Sequence, residues 1–200
     1  CSSKVSTLDE EIIRNMSEAG CIQMDFGVER GSDEALKLIK KGINVGVIKD
    51  VFKLCHKYKI RTFANMLVNV PEETEKDLED ILALLDKIKS EIVSINVFTS
   101  YPGTEIYDNL SYKYTIEEYP LLVDTSNLIE KYPEKYKFSK HGVKIVDWAT
   151  KYNKKYNKVL KNLYFYLSPR YLLTLIRSKN KLNYIKQFGL LVKEFINQKF

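Results

Sequence analysis

Over the first 110 residues, short runs of strand-forming residues alternate with stretches of helical periodicity, and each run closes in a turn. Leu8 to Ala19 predicts a helix: Thr7 can cap it, Glu10 follows three residues on, and Leu8, Ile12, Ile13 and Met16 fall at helical spacing. Gly20 stops it, as a residue tolerant of left-handed backbone should. Cys21–Gly27 then predicts a strand. Ser32 caps a helix through Lys41, with Ala35, Leu36 and Ile39 inward and Gly42 at its end. A further helix is expected from Val45 to Tyr58, with Val47, Ile48, Val51, Phe52 and Cys55 as its apolar stripe. Arg61–Val70 is the next strand and Pro71 ends it. Thr74 with Asp77 opens a helix over Glu75–Lys89, and Glu91–Thr99 is the last strand before Tyr101-Pro102-Gly103-Thr104.

Strands separated by helices of this length are the signature of βαβ units and a parallel sheet. Right-handed crossovers place the C-terminal strand ends on one rim, where such folds bind ligands. Three loops lie there: Gly27–Ser32, Asn69–Thr74 and Thr99–Thr104. The expected fold is α/β, followed by a helical extension.

The composition supports a packed core and no membrane span. Hydrophobic residues make up 44% and charged residues 29%, and no run of about 18 apolar residues occurs. The opening CSSKVSTLDEE, with neither an n-region nor an h-region, predicts no signal peptide. It begins at Cys1, with apolar and β-prone character setting in abruptly, which predicts a chain cut from a longer protein. Cysteines at 1, 21 and 55, without a CxxC, suggest neither a disulfide framework nor a zinc site. Cys21 and Cys55 are expected as buried thiols in a reducing cytoplasm. The net charge of +6 is unevenly spread: residues 1–110 carry 14 Lys and Arg against 19 acids, and residues 151–200 carry 12 against Glu194 alone. An acidic front and a basic tail are expected to do different jobs.

Four elements in order carry a family resemblance. They are Gly27-Val28-Glu29-Arg30-Gly31-Ser32, Lys41-Gly42, Asn69-Val70-Pro71-Glu72-Glu73-Thr74 and Tyr101-Pro102-Gly103-Thr104. Together they resemble the radical SAM superfamily, and most closely its members with an N-terminal cobalamin-binding domain. The resemblance implies the later half of a partial (β/α)6 barrel of TIM type over residues 1–110, holding roughly strands three to six. Residues 111–200 would be a helical, basic C-terminal extension. It further implies S-adenosylmethionine (SAM) held across the strand ends, and a [4Fe-4S] cluster bound by a Cys-x3-Cys-x2-Cys loop upstream of this chain. Cobalamin, bound by a domain also outside this chain, is the third implied cofactor. The parent enzyme would use SAM for radical methylation, cyclisation or rearrangement, and this chain alone would be inactive.

The resemblance assigns cofactor-binding roles to Glu29, Arg30, Met66, Leu67, Glu73, Phe98 and Thr99. Glu29, between two glycines, would accept both hydroxyls of the SAM ribose; a helix-capping acid is the plainer alternative. Arg30 would pair with Glu29 or with the SAM carboxylate, or lie at the surface. Met66 and Leu67 would lie against adenine, although strand alternation makes two of Met66, Leu67 and Val68 core residues. Asn69 and Glu72 stand where the family has glycine. Glu73 aligns with the family's glutamate, beside the reading that both acids favour the helix N-terminus. Phe98 and Thr99 would border adenine. Gln23 and Asp25 give their strand one polar face, which could look into the barrel toward substrate. His56 is expected to be exposed and His141 to lie in a loop, with no metal site and no catalytic Ser–His or Cys–His pair.

Beyond Ser111, helices are expected at about 116–123, 142–167, 169–178 and 181–197. Tyr171, Leu172, Leu175 and Ile176 gather on one side of the third. These helices either pack on the open side of the barrel or form a basic amphipathic surface for an anionic membrane or RNA. The substrate is expected to be a small molecule, a lipid or a tetrapyrrole, with nucleic acid disfavoured. The upstream half of the same barrel would be a partner, and the location cytoplasmic or membrane-peripheral. The competing classes are a cluster-less binding or scaffold protein, and a basic module associating with lipid or RNA.

Overall fold

The computed structural model describes residues 1–177 apart from 124 and 158, together with 182, 185, 186, 188–190, 192 and 193. Its centre is a four-stranded sheet in the order β1 (Ser2–Ser3), β2 (Gln23–Glu29), β3 (Arg61–Val68), β4 (Ile92–Val97), every neighbouring pair parallel. Helices α1 (Glu10–Glu18), α2 (Asp33–Leu38), α3 (Val45–Lys57) and α4 (Glu75–Ile88) fill the crossovers. The short α5 (Glu105–Asp108), α6 (Thr125–Lys131) and α7 (Pro133–Tyr136) follow, then α8 (Ile145–Tyr156), α9 (Val159–Tyr166) and α10 (Pro169–Arg177). This is an α/β arrangement of parallel strands joined by helical crossovers.

Strand alternation decides the two faces. Met24, Phe26 and Val28 of β2, Ala64, Met66 and Val68 of β3, and Val93 and Ile95 of β4 are buried toward the helices. Phe26 meets Phe52 of α3 at 5.1 Å between ring centres. Each such large side chain contributes about 1.5–3 kcal/mol of burial. The intervening Gln23, Asp25, Gly27, Glu29, Phe63, Asn65 and Leu67 are half-buried and face the other way. That face is largely polar, as the alternation in β2 predicts.

The extension shares this core: Leu122, Leu128, Tyr136, Ile145 and Ala149 belong to the same buried cluster as the sheet. Helix α8 also closes the outer edge of β4. The Asn153 amide donates to Ile95 O (3.1 Å) and accepts from Ile95 N (2.8 Å), and Asn157 makes the same pair with Val93. Four residues of helix rise about 6 Å and two of strand nearly 7 Å, so asparagines at i and i+4 match alternate strand residues.

Several boundaries differ from expectation. Helix α1 starts at Glu10 with Asp9 as cap, because Thr7 is drawn into a 3-10 turn in which its hydroxyl donates to Lys4 O. Helix α2 stops at Leu38, with Lys40 left-handed at φ 53°. The helix expected over 142–167 is divided, since Asn157 turns its amide onto β4. Within 116–123 there is only a 3-10 turn, Tyr119–Val123. Helix α4 has the expected Thr74–Asp77 capping box. Most of 181–197 lies outside the described residues. Cys55 is buried, but Cys21 is only half-buried and its Sγ lies 3.8 Å from that of exposed Cys1. Among the described residues no helix is long and apolar enough to cross a membrane.

Candidate functional site at the strand-end rim

Strand β2 ends in a bulge. Gly27 pairs with Asn65 and Glu29 with Met66, so Val28 is the extra residue. Glu29 then sits at φ 69° while Arg30 N donates to Val28 O (2.9 Å), closing a three-residue turn around it. This strained apex holds the Glu29 carboxylate on the polar face, where Lys41 Nζ donates to Oε1 (2.8 Å). Gly27 makes the pair possible, since a Cβ there would lie 2.5 Å from Glu29 Oε1 and 2.9 Å from Lys41 Nζ. Beside the pair opens a cavity of about 590 Å³, lined by Ser2, Asp25, Gly27, Lys41 and Asn65 among others. Gly31 serves packing instead: a Cβ would strike the backbone of Asp80 and Ile81 in α4 at 2.2 Å.

The loop after β3 is organised by Glu73. Its carboxylate receives Arg30 Nη1, the Asn69 backbone N–H (2.9 Å) and His141 Nε2 (2.9 Å). Arg30 Nη1 also donates to Leu67 O (2.8 Å). Asn69, left-handed at φ 67° and fully buried, donates through Nδ2 to Phe98 O (3.0 Å) and Tyr136 O (2.9 Å) and accepts from Phe138 N (3.0 Å). Lys140 N donates to Glu73 O (3.0 Å), and Lys140 Nζ pairs with Glu72. Residues 136–141 of the extension are thus strapped across this loop.

At the end of β4, Phe98 N donates to Val68 O (2.7 Å), and its ring meets Phe138 edge-on at 5.4 Å. Thr99 is buried, and its Oγ1 has no protein partner. Ser100 Oγ lies 2.7 Å from the Tyr114 hydroxyl.

The predicted site residues therefore fall into separate groups. Glu29 lies on the rim, Leu67 on the polar face, and Phe98 and Thr99 at the end of β4. Arg30 is corrected: neither a surface residue nor a partner of Glu29, it is enclosed against Glu73. The side chains of Met66 and Glu73 are also closed off from the rim, Met66 by alternation into the helix-side core and Glu73 by its three donors. His56 is only partly exposed and lies 3.4 Å from Glu91, and His141 is buried rather than a plain loop residue. Sequence reasoning missed Phe138, His141 and the partnership of Lys41 with Glu29. Only Lys41 left a signal, as the Lys-Gly of the motif.

Among the described residues no group of three or more His, Cys, Asp or Glu side chains is placed to hold a metal ion. Cys55 is buried, and desolvation pushes its thiol up to about 12. The described residues do not fit an iron–sulfur cluster.

Comparison with known proteins finds relatives of part of the chain. An uncharacterized methyltransferase of Pyrococcus horikoshii is 29% identical over 107 residues, 54% of this chain and 23% of its own length. The anaerobic magnesium-protoporphyrin IX monomethyl ester cyclase of Cereibacter sphaeroides is 22% identical over 56% of this chain and 18% of its own length. The tRNA-2-methylthio-N(6)-dimethylallyladenosine synthase of Syntrophotalea carbinolica is 26% identical over 54% of this chain and 25% of its own length. The chain thus spans about a quarter or less of each of these relatives. Residues 1–85 match the Radical SAM superfamily model.

Proposed function

We propose that this chain supplies the later half of a radical SAM barrel, with 1–110 as core and 111–200 as extension, in an enzyme that methylates, cyclises or rearranges a small-molecule substrate. The observation that carries this reading is the polar cavity beside the strained Glu29 turn, at the strand end where the family motif lies. Glu29, held by Lys41, would accept the ribose hydroxyls of SAM. Leu67 and Phe98, with the backbone of Thr99, would border its adenine. With a cluster held by an upstream half of the barrel, SAM would supply a 5′-deoxyadenosyl radical. The cluster ligands, and any cobalamin, belong outside this chain. The relatives' names span methyl transfer, ring closure on a tetrapyrrole ester and methylthiolation of a tRNA base, so the reaction type stays at this breadth.

The test is SAM binding to the full-length protein by calorimetry. Glu29→Gln should weaken binding at least tenfold, and an unchanged affinity would refute the ribose role. Release of 5′-deoxyadenosine by the reconstituted protein tests the reaction class itself.

A peripheral membrane contact is a second reading, favoured by Leu173 and Ile176 of α10, which are 52% and 66% exposed on a basic extension. Sedimentation with anionic liposomes at low salt tests it; protein left in the supernatant removes it.

A further inference from the structure

The opposite end of the sheet, where the strands begin, holds a second cavity of about 660 Å³. Arg61, the first residue of β3, lines it although only 6% exposed. Its guanidinium carbon lies 4.2 Å from the Phe165 ring centre, and Nη2 donates to Asn162 Oδ1, so α9 surrounds it with neutral groups. Nε has no partner. Lys59 and Lys89 stand at the same cavity, just beyond the ends of α3 and α4, with φ 56° and 49°. None of the ion pairs among the described residues uses Lys59, Arg61 or Lys89.

The two other charged groups of the wall are already engaged. Glu91 accepts from Thr62 N and Thr62 Oγ1, both at 2.7 Å, and faces His56. Arg170 spends its donors on Tyr58 O, Lys59 O, Ser17 O, Ser17 Oγ and Cys21 O, closing the C-terminal ends of α1 and α3. It builds the wall and holds the extension in place. Lysines after helix ends are explained by the helix dipole alone. A nearly buried arginine with an unpartnered Nε and no direct ion pair is not, because Glu91 and Asp25 act on it only at longer range and an under-compensated buried charge is costly. Burial accordingly holds the Arg61 pKa down.

One guanidinium and two ammonium groups around a cavity fit an oxyanion with several acceptor oxygens, and phosphate is the match in size and charge. The rest of the lining, with Ile60, Phe165 and Pro169, is apolar and would take the body of the ligand. We infer that this cavity is a binding site for a small phosphorylated compound, with Lys59, Arg61 and Lys89 on the phosphoryl group and Phe165 against the organic part. It lies at the far end of the sheet from the Glu29 rim and does not depend on the role proposed there.

Calorimetry of the full-length protein with inorganic phosphate and with phenyl phosphate, at ionic strength fixed by chloride, tests it. Both should bind, phenyl phosphate more tightly. The double variant Lys59→Gln/Lys89→Gln, which alters exposed side chains only, should weaken both at least tenfold. Phe165→Leu should weaken phenyl phosphate alone, and Glu29→Gln should change neither. Absence of binding by either probe at millimolar concentration, or affinity unchanged in the double variant, overturns the site.

Discussion

Arg30 and Glu73, 43 residues apart in sequence, form an ion pair closed to solvent, with side chains 1% and 0% exposed. The pair joins the loop after β2 to the loop after β3 and sets the backbone of Asn69 through the second carboxylate oxygen. Removing Arg30 leaves the Glu73 carboxylate buried with only the Asn69 N–H and His141 beside it. Arg30→Met is therefore expected to destabilise the fold by about 3–5 kcal/mol. Urea denaturation followed by circular dichroism checks it, and a loss below 1 kcal/mol would contradict this account.

Two left-handed residues three positions apart should respond oppositely to glycine. Glu72, at φ 65°, is exposed and held only by its surface pair with Lys140. Glu72→Gly removes the left-handed penalty and is expected to be neutral or stabilising by about 0.5–1 kcal/mol. Asn69, at φ 67°, has its amide bound to Phe98, Tyr136 and Phe138. Asn69→Gly keeps the backbone but orphans the groups of the strap, and should cost about 2–4 kcal/mol. Thermal melts of both variants decide whether geometry or bonding holds each position.

This contrast also marks how far the sequence was legible. Alternation of short runs and helical stripes located β2, β3, β4 and the crossover helices, because burial on one face imposes those periods. It also located the polar face of β2. The two-residue β1 carries no period and was not found. The departures Asn69 and Glu72 were visible as missing glycines, but their consequence depended on a strap 67 residues downstream. Arg30 was misplaced because local spacing says nothing of a carboxylate 43 residues away. Phe138 and His141 reach the rim only by tertiary contact, and a lone aromatic or histidine in a polar stretch gives no warning of that.

Asn153 and Asn157 stand in for a fifth strand on the edge of β4. Replacing both with alanine should cost about 2–4 kcal/mol, at about 1–2 per amide lost. The exposed edge would then be free to pair with another chain. The expected outcome is a lower urea midpoint together with concentration-dependent association in light scattering. Lower stability with a strictly monomeric variant would mean that α8 still covers the edge by packing.

Thiol chemistry separates the three cysteines. Cys1 is exposed, Cys21 half-buried, and Cys55 buried with its thiol pushed up to about 12 by desolvation. Iodoacetamide at pH 8 should label Cys1 first and Cys21 more slowly. Cys55 should stay protected until denaturant is added, because the thiolate is the reactive form. Mass spectrometry of timed samples reads the order, and early labelling of Cys55 would show that α3 opens locally.

Acid stability should carry the mark of Glu91. Burial alone would raise its pKa, but the His56 ring 3.4 Å away and the hydrogen bonds from the Thr62 N–H and hydroxyl outweigh it and bring the carboxyl down to about 2. In the unfolded chain the same group titrates near its ordinary value of 4.5. Between those two values the unfolded state binds the extra proton, so stability falls as pH falls. The contribution is complete above about pH 4.5, decreases through the window and is gone below about pH 2. With about a third of the side chain exposed, its size is about 1–2 kcal/mol rather than the full shift. Urea unfolding at pH 6, 4 and 3 should show a steeper acid loss in the native protein than in Glu91→Gln, which lacks the titration. Parallel pH profiles would place the acid sensitivity in other carboxylates, and Glu91 would then hold Thr62 without storing charge-linked stability.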